Sequence, residues 1–209
     1  MVRAWIADIR PLCEDKCYRK YYEELPDFRK RKADALKSVQ GKAQSVGVWS
    51  LLEKIRAEEG LPESSAYNLS HSGDYVMCAV ELDGKKEQVG CDIEQIGRLR
   101  LDLAERFFSR DEYDAILMRE TEEERRESFF RYWVLKESFI KATGRGMALP
   151  LNSFSVRLGA PPVLIRQPEE YPGRYYYREF AVREIPYKMA VCSTDEAIDS
   201  KIHTELRLL

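Results

Sequence analysis

Histidine is scarce in this chain: two residues of 209, His71 and His203. That scarcity argues against a zinc site, although Cys13 and Cys17 stand one helical turn apart. No apolar run is long enough to span a bilayer, so no transmembrane helix is expected. The opening Met1-Val2-Arg3-Ala4-Trp5-Ile6-Ala7-Asp8 is broken by charge within a few residues, so a signal peptide is not expected either. Charge of one sign is also lacking. Lys and Arg number 34 against 36 Asp and Glu, a formal net charge of -2. Nucleic-acid-binding chains usually carry a basic excess, so that class is disfavoured. The five cysteines (Cys13, Cys17, Cys78, Cys91, Cys192) are an odd number in mostly apolar surroundings. They read as reduced thiols of a cytoplasmic protein rather than a disulfide framework. No low-complexity linker divides the chain.

What is present is an ordinary soluble composition, 44% apolar and 33% charged, with length for one large domain or two small ones. Residues 2–9 read as a strand. A helix follows from about Glu14 to Leu25 and Pro26 ends it. The basic run Phe28-Arg29-Lys30-Arg31-Lys32 is either a solvated helix face or an anion clamp. Residues 42–58 form the next helix, stopped by Gly60 and Pro62. Turn chemistry at Tyr67–Asp74 precedes a strand from Val76 to Leu82. Asp83–Glu87 reads as a hairpin loop, which would put the following strand beside it in one sheet. Ser109…Glu112 and Thr121…Glu124 match capping boxes, the second opening a long helix to about Ala142. Strands are expected at 154–158, 163–165, 174–182 and 187–192. The polar tail from Thr194 is expected to be poorly ordered.

The stretch Val89-Gly90-Cys91-Asp92-Ile93-Glu94 carries the chemistry. Side chains alternate on a strand, so Val89, Cys91 and Ile93 share an apolar face and Gly90, Asp92 and Glu94 the other. Two carboxylates about 4 Å apart at an effective dielectric of about 20 repel by roughly 4 kcal/mol. Such a pair persists at a solvated strand end or around a cation. On the long helix, Phe129, Trp133, Glu137 and Lys141 recur at four-residue spacing on one face. Glu137–Lys141 is either a surface ion pair or part of a site.

Three motifs therefore stand in order: Asn68-Leu69-Ser70-His71-Ser72, Gly90-Cys91-Asp92-Ile93-Glu94 and Trp133-Val134-Leu135-Lys136-Glu137-Ser138-Phe139-Ile140-Lys141. Arg106-Phe107-Phe108-Ser109 lies between the last two. Across about residues 28–193 the set resembles the Sfp-type 4′-phosphopantetheinyl transferases. The resemblance implies an α+β fold of two pseudo-twofold-related halves, each a long helix on a small antiparallel sheet. We set these at 1–98 and 99–209, with coenzyme A between them. It implies an enzyme, a 4′-phosphopantetheinyl transferase (holo-carrier-protein synthase). This would move 4′-phosphopantetheine from coenzyme A to a serine of an apo acyl or peptidyl carrier protein and release adenosine 3′,5′-bisphosphate. Mg²⁺ would be held by Asp92, Glu94 and Glu137 through hard oxygen ligands. Ser70 and His71 would lie at a phosphate of coenzyme A. Lys141 would sit near the pyrophosphate and the incoming serine, with Lys136 helping. Glu137, directly or through a metal-bound water, is the expected base.

The chain departs from the family pattern twice. Gly60-Leu61-Pro62-Glu63 lacks the lysine usual in a Gly-Lys-Pro segment, and Ala43 stands where an arginine is usual. Arg31 and Lys42 are therefore the candidates for the 3′-phosphate. The carrier-facing surface, by resemblance, lies around Arg145, Met147 and the strands beyond, helped by residues 99–117. There Leu99, Leu101 and Leu103 alternate with Arg98, Arg100 and Asp102, either as apolar anchors favouring broad carrier acceptance or as a strand edge or connector packed in the core. A monomer suffices for two internal halves. The other readings are a non-catalytic module binding coenzyme A or a carrier protein, and a nucleic-acid binder using Arg29–Lys32.

Overall fold

The computed structural model of the chain describes residues 1–208. The elements run β1 (Val2–Asp8), α1 (Asp15–Glu23), α2 (Asp27–Asp34), α3 (Val39–Glu59), β2 (Tyr67–Ser72), β3 (Tyr75–Glu81) and β4 (Val89–Gln95). Then come α4 (Leu101–Phe107), α5 (Arg110–Leu117), α6 (Glu122–Thr143), β5 (Ser155–Arg157), β6 (Val163–Arg166), β7 (Tyr176–Phe180), β8 (Tyr187–Ser193) and β9 (Ile198–His203). The fold is α+β.

Period-two patterning explains the layers. On β1, Trp5 and Ala7 face α3, while Ala4 and Ile6 face the other way. On β3, Val76, Cys78 and Val80 join the α3 side, and Met77 and Ala79 the opposite side. Val89, Cys91 and Ile93 of β4, with Met189 and Val191 of β8, meet that opposite side. Two sheets thus pack face to face, with α3 outside the first. Helix α6 lies across β4 and β8, outside the second. Both long helices end on a left-handed glycine, Gly60 (φ 65°) and Gly144 (φ 70°), a conformation a side chain resists. The Thr121/Glu124 capping box is formed in both directions, and at Ser109 the Glu112 carboxylate accepts the cap N–H. Among the described residues, no helix is long and apolar enough to cross a membrane.

Three expectations fail. Turn chemistry is expected across Tyr67–Asp74, yet Tyr67–Ser72 is strand β2 and only Gly73-Asp74 turns, because β3 pairs with β2 along its whole length. Strands β3 and β4 are not a hairpin. The first sheet has the order β2-β3-β1-β9, and β4 belongs to the second, β4-β8-β7. Strand β3 is flanked on both edges, by β2 through the Gly73-Asp74 turn and by β1, so it has no edge to offer β4. The tail is not loose either: β9 runs parallel to β1, with Val2 opposite Ile198 and Ala4 opposite Ile202. A boundary at residue 98 therefore does not follow the hydrogen bonding. The Asp92–Glu94 strand pairs with the later part of the chain, and the tail pairs with the earlier part.

Candidate functional site

The outer edge of β4 faces the outer edge of β2, and side chains staple the two sheets there. Asn68 Oδ1 accepts from the Cys91 N–H (3.1 Å), Ser70 Oγ from the Ile93 N–H (3.4 Å) and Ser72 Oγ from the Gln95 N–H (3.1 Å). Every second residue of β2 serves every second amide of β4, because alternate side chains share a face. The same serines hold the carboxylates. Ser70 Oγ donates to Asp92 Oδ1 (2.8 Å) and Ser72 Oγ to Glu94 Oε2 (2.8 Å). The spacing of Asn68, Ser70 and Ser72 is thus a structural ladder. Ser70, expected at a phosphate, is buried and its hydroxyl is committed to Asp92 and Lys141.

Helix α6 delivers the other half. It can lie against β4 because Gly90 has no side chain: a Cβ there would stand 2.0 Å from the Ser138 carbonyl oxygen and 2.4 Å from the Ala142 nitrogen. This contact carries Lys141 to the carboxylates. Lys141 Nζ donates to Asp92 Oδ1 (2.7 Å) and Ser70 Oγ (2.9 Å). Of the two readings of Glu137 and Lys141, the surface ion pair is not formed: Lys141 pairs with Asp92 instead.

Charge at this point is unbalanced. Burial pushes the Asp92 carboxyl up, opposed by Lys141. Burial and the Asp92 charge push Glu94 up to about 7. Burial, then Asp92, also raises Glu137. Burial opposes the Lys141 ammonium, but Asp92 above all, with smaller help from Cys91 and Glu137, more than offsets it and holds its pKa above the ordinary value. One lysine answers several carboxylates, and Asp92 Oδ2 is buried with no hydrogen-bond partner. An orphaned carboxylate oxygen among hard oxygen donors fits Mg²⁺, which keeps several waters and needs few protein ligands. The trio is not a closed cage. Among the described residues, only Glu81, Asp83 and Asp195 bring three ligand atoms within 4.8 Å of one another. That separate cluster already receives the Met1 amino group and Lys85.

His71 points away from the ladder. The protein mass around it, then Lys141 and Lys32, lower its pKa. Lys32 is thus a neighbour that the sequence reading passed over in favour of Arg31 and Lys42. The signal was present in the basic run of α2, but which exposed charge of that run reaches His71 needs the placement of α2 relative to β2. Among the described residues, Arg31, Lys32 and Lys42 form no ion pair. Arg29 of the same run is buried, donates to the Ser45 carbonyl (2.8 Å) and stacks on Trp49. Gln40 and Gln44 of α3 clamp the Gly73 carbonyl, fixing the turn after Ser72.

Lys136 does not reach this site. Its side chain is 0% exposed, and Nζ donates to both Glu112 oxygens (2.8 and 2.7 Å) and to the Phe154 carbonyl (2.9 Å). All its donors are used. Burial brings its pKa down to about 8 despite Glu112.

A cleft of about 460 Å³ opens beside Glu137, lined by Arg106, Phe107, Trp133, Ile140 and the segment Leu149–Asn152. Larger clefts of about 560 and 620 Å³ contain none of Asp92, Glu94 or Glu137. Leu99, Leu101 and Leu103 pack half-buried against the Phe108/Phe129/Phe130 cluster, with α4 starting at Leu101. The alternation is not that of a strand edge, since Leu101 and Leu103 lie on α4. Arg145 Nε donates to Tyr171 Oη (2.9 Å). The side chain of Met147 lies outside the described residues.

Residues 88–192, which span Gly90–Glu94 and Trp133–Lys141, match the model of the 4′-phosphopantetheinyl transferase superfamily. The chain is 40% identical over 134 residues to 4′-phosphopantetheinyl transferase Sfp of Bacillus subtilis (strain 168), covering 64% of this chain and 56% of that protein. It is 39% identical over 127 residues to 4′-phosphopantetheinyl transferase ffp of Bacillus subtilis, 61% of this chain and 54% of that one. It is 34% identical over 143 residues to 4′-phosphopantetheinyl transferase gsp of Aneurinibacillus migulanus, 68% of this chain and 57% of that one. The chain thus spans a little over half the length of these relatives. With its carboxylate strand and Trp-x-x-Lys-Glu helix inside the matched region, the chain belongs to the 4′-phosphopantetheinyl transferase superfamily.

Proposed function

We propose that the chain transfers 4′-phosphopantetheine from coenzyme A to a serine hydroxyl of an apo acyl or peptidyl carrier protein. Adenosine 3′,5′-bisphosphate is released. One observation carries this reading above all: the crowded Asp92, Glu94 and Glu137 carboxylates, with an orphaned buried oxygen, beside Lys141. A site that only bound a carrier protein would gain nothing from that repulsion.

Phosphoryl-type transfer asks the protein mainly for positioning and charge stabilisation. The serine oxygen attacks the phosphorus that bears pantetheine. The bond from that phosphorus to the bridging oxygen breaks, and the 5′-phosphate of the nucleotide leaves with the electron pair. Asp92, Glu94 and Glu137 would hold Mg²⁺, which when bound neutralises pyrophosphate charge. Lys141 places an ammonium at the same point. Glu137, whose pKa burial raises, takes the serine proton. Lys32, with Arg31 and Lys42, offers the nucleotide phosphates a positive rim, and His71, its pKa lowered, offers them a neutral N–H donor. The apolar cleft beside Glu137 suits the pantetheine arm, which is a chain of amides and methyl groups. Buried free thiols suit a reducing cytoplasm, and a single chain supplies every group named.

The test is incubation with coenzyme A, Mg²⁺ and apo carrier proteins of the acyl and peptidyl kinds, followed by intact mass. A gain of one phosphopantetheine on the carrier is expected. Coenzyme A binding without any gain would leave a non-catalytic module and sink the transferase reading.

A further inference from the structure

Lys136 and Glu112 form a buried ion pair that the reaction does not use. Their side chains are 0% and 1% exposed. Each glutamate oxygen also accepts a backbone amide: Oε1 from Val156 (2.8 Å) and Oε2 from Ser109 (2.9 Å). The third lysine bond goes to the Phe154 carbonyl. One pair therefore joins the start of α5, the middle of α6 and both ends of the Phe154–Val156 segment. That segment continues directly from Leu149–Asn152, which walls the cleft opening on Glu137. Lys136 precedes Glu137 in α6, so the two side chains leave the helix about 100° apart. One grips the wall and the other faces the space it encloses.

A buried ion pair is a poor source of net stability, since an apolar pair of similar size often does as well. What it supplies here is fixed geometry with every donor and acceptor used. We propose that Lys136 and Glu112 are positioning residues that lock the 149–156 wall to α6 and so set the fit of the cleft for the pantetheine arm. The second part rests on the functional reading above. From the other side, Arg166 ties the wall to β6 through the Asn152 carbonyl and Ser155 Oγ, so the wall stays attached when the pair is removed.

The test uses the full chain and two variants. Lys136→Met alone strands a buried carboxylate and has a strong folding cost. Lys136→Met with Glu112→Gln removes both charges and keeps an acceptor for one of the two backbone amides. For the double variant, amide exchange over residues 149–156 is expected to speed by about tenfold or more, with β4 and β8 unchanged. Its affinity for coenzyme A is expected to fall by about tenfold, while that for adenosine 3′,5′-bisphosphate, which lacks the arm, stays the same. Unchanged exchange over 149–156, or faster exchange everywhere alike, would overturn the lock. Equal weakening of both ligands would overturn its link to the arm. If the unaltered chain binds neither ligand, the functional reading fails and exchange alone decides the lock.

Discussion

Gly90 and Ser138 meet backbone to backbone: a methyl group on the glycine would stand 2.0 Å from the serine carbonyl oxygen. Neither partner is the far end of a flexible side chain, so Gly90→Ala must lift α6 from β4. Overpacking of this kind costs about 1–3 kcal/mol or more. The variant should melt clearly below the parent chain and lose turnover, because Lys141 and Glu137 ride on the displaced helix. A melting temperature within a degree or so of the parent would show that the helix is not seated on this glycine.

Asp92 Oδ2 is a buried carboxylate oxygen without a hydrogen-bond partner. Mg²⁺ should therefore raise the melting temperature, and more so with coenzyme A present. Asp92→Ala should keep the fold, lose the Mg²⁺ response and abolish transfer. Parental rates in excess chelator would count against the metal assignment.

Glu94 is held up to about 7 by burial and Asp92, against an ordinary 4.5. A carboxyl raised in this way stabilises the fold when neutral. Without a cation, that contribution is lost as pH rises from about 4.5 through about 7. Protons and Mg²⁺ also compete for the group. The Mg²⁺-induced rise in melting temperature should be smaller at pH 6 than at pH 8, and Glu94→Gln should flatten the difference. Equal shifts at both pH values in the parent chain would refute this.

Lys32 lowers the pKa of His71 by like charge, after the surrounding protein and Lys141. Lys32→Ala should therefore raise the His71 pKa in an NMR titration, with no ligand needed. The same change, like Arg31→Ala and Lys42→Ala, should weaken coenzyme A by several-fold to about tenfold. The variant that reads the 3′-phosphate will affect dephospho-coenzyme A less. Equal losses on both substrates would remove that residue from the 3′-phosphate.

Local rules carried much of the fold. Helix caps at Ser109 and Thr121, glycine stops at Gly60 and Gly144, and the two faces of Val89–Glu94 are set within a few residues, so they could be read from the chain. Sheet membership could not. Whether β4 continues from β3 depends on whether β3 has a free edge, and β1, some seventy residues earlier, takes it. The pattern of β9 is mostly polar, with Ile198 and Ile202 its apolar positions, too sparse to announce a strand. In the site, the charge pattern of Asp92, Glu94, Glu137 and Lys141 left a solvated strand end and a surface ion pair open, and it was the ordered motifs of the resemblance that singled these four out. Lys136 was misread because a lysine beside a site glutamate is indistinguishable in sequence from one that turns the other way. Glu112 was read as a cap and is one, but its second oxygen bond to Val156 spans 44 residues.

The pairing of Val2 with Ile198 has a consequence in time. Strand β1 precedes its parallel partner by most of two hundred residues, and cannot pair with it until that whole intervening stretch has been made. Until then one side of β1 is an unprotected row of amides and carbonyls, open to any passing strand. Such long-range pairing slows folding and exposes the newborn chain to aggregation. A chain cut before Ile198 would keep every carboxylate and lysine of the site and still carry that open edge for its lifetime, so its fate would be decided by association rather than by chemistry.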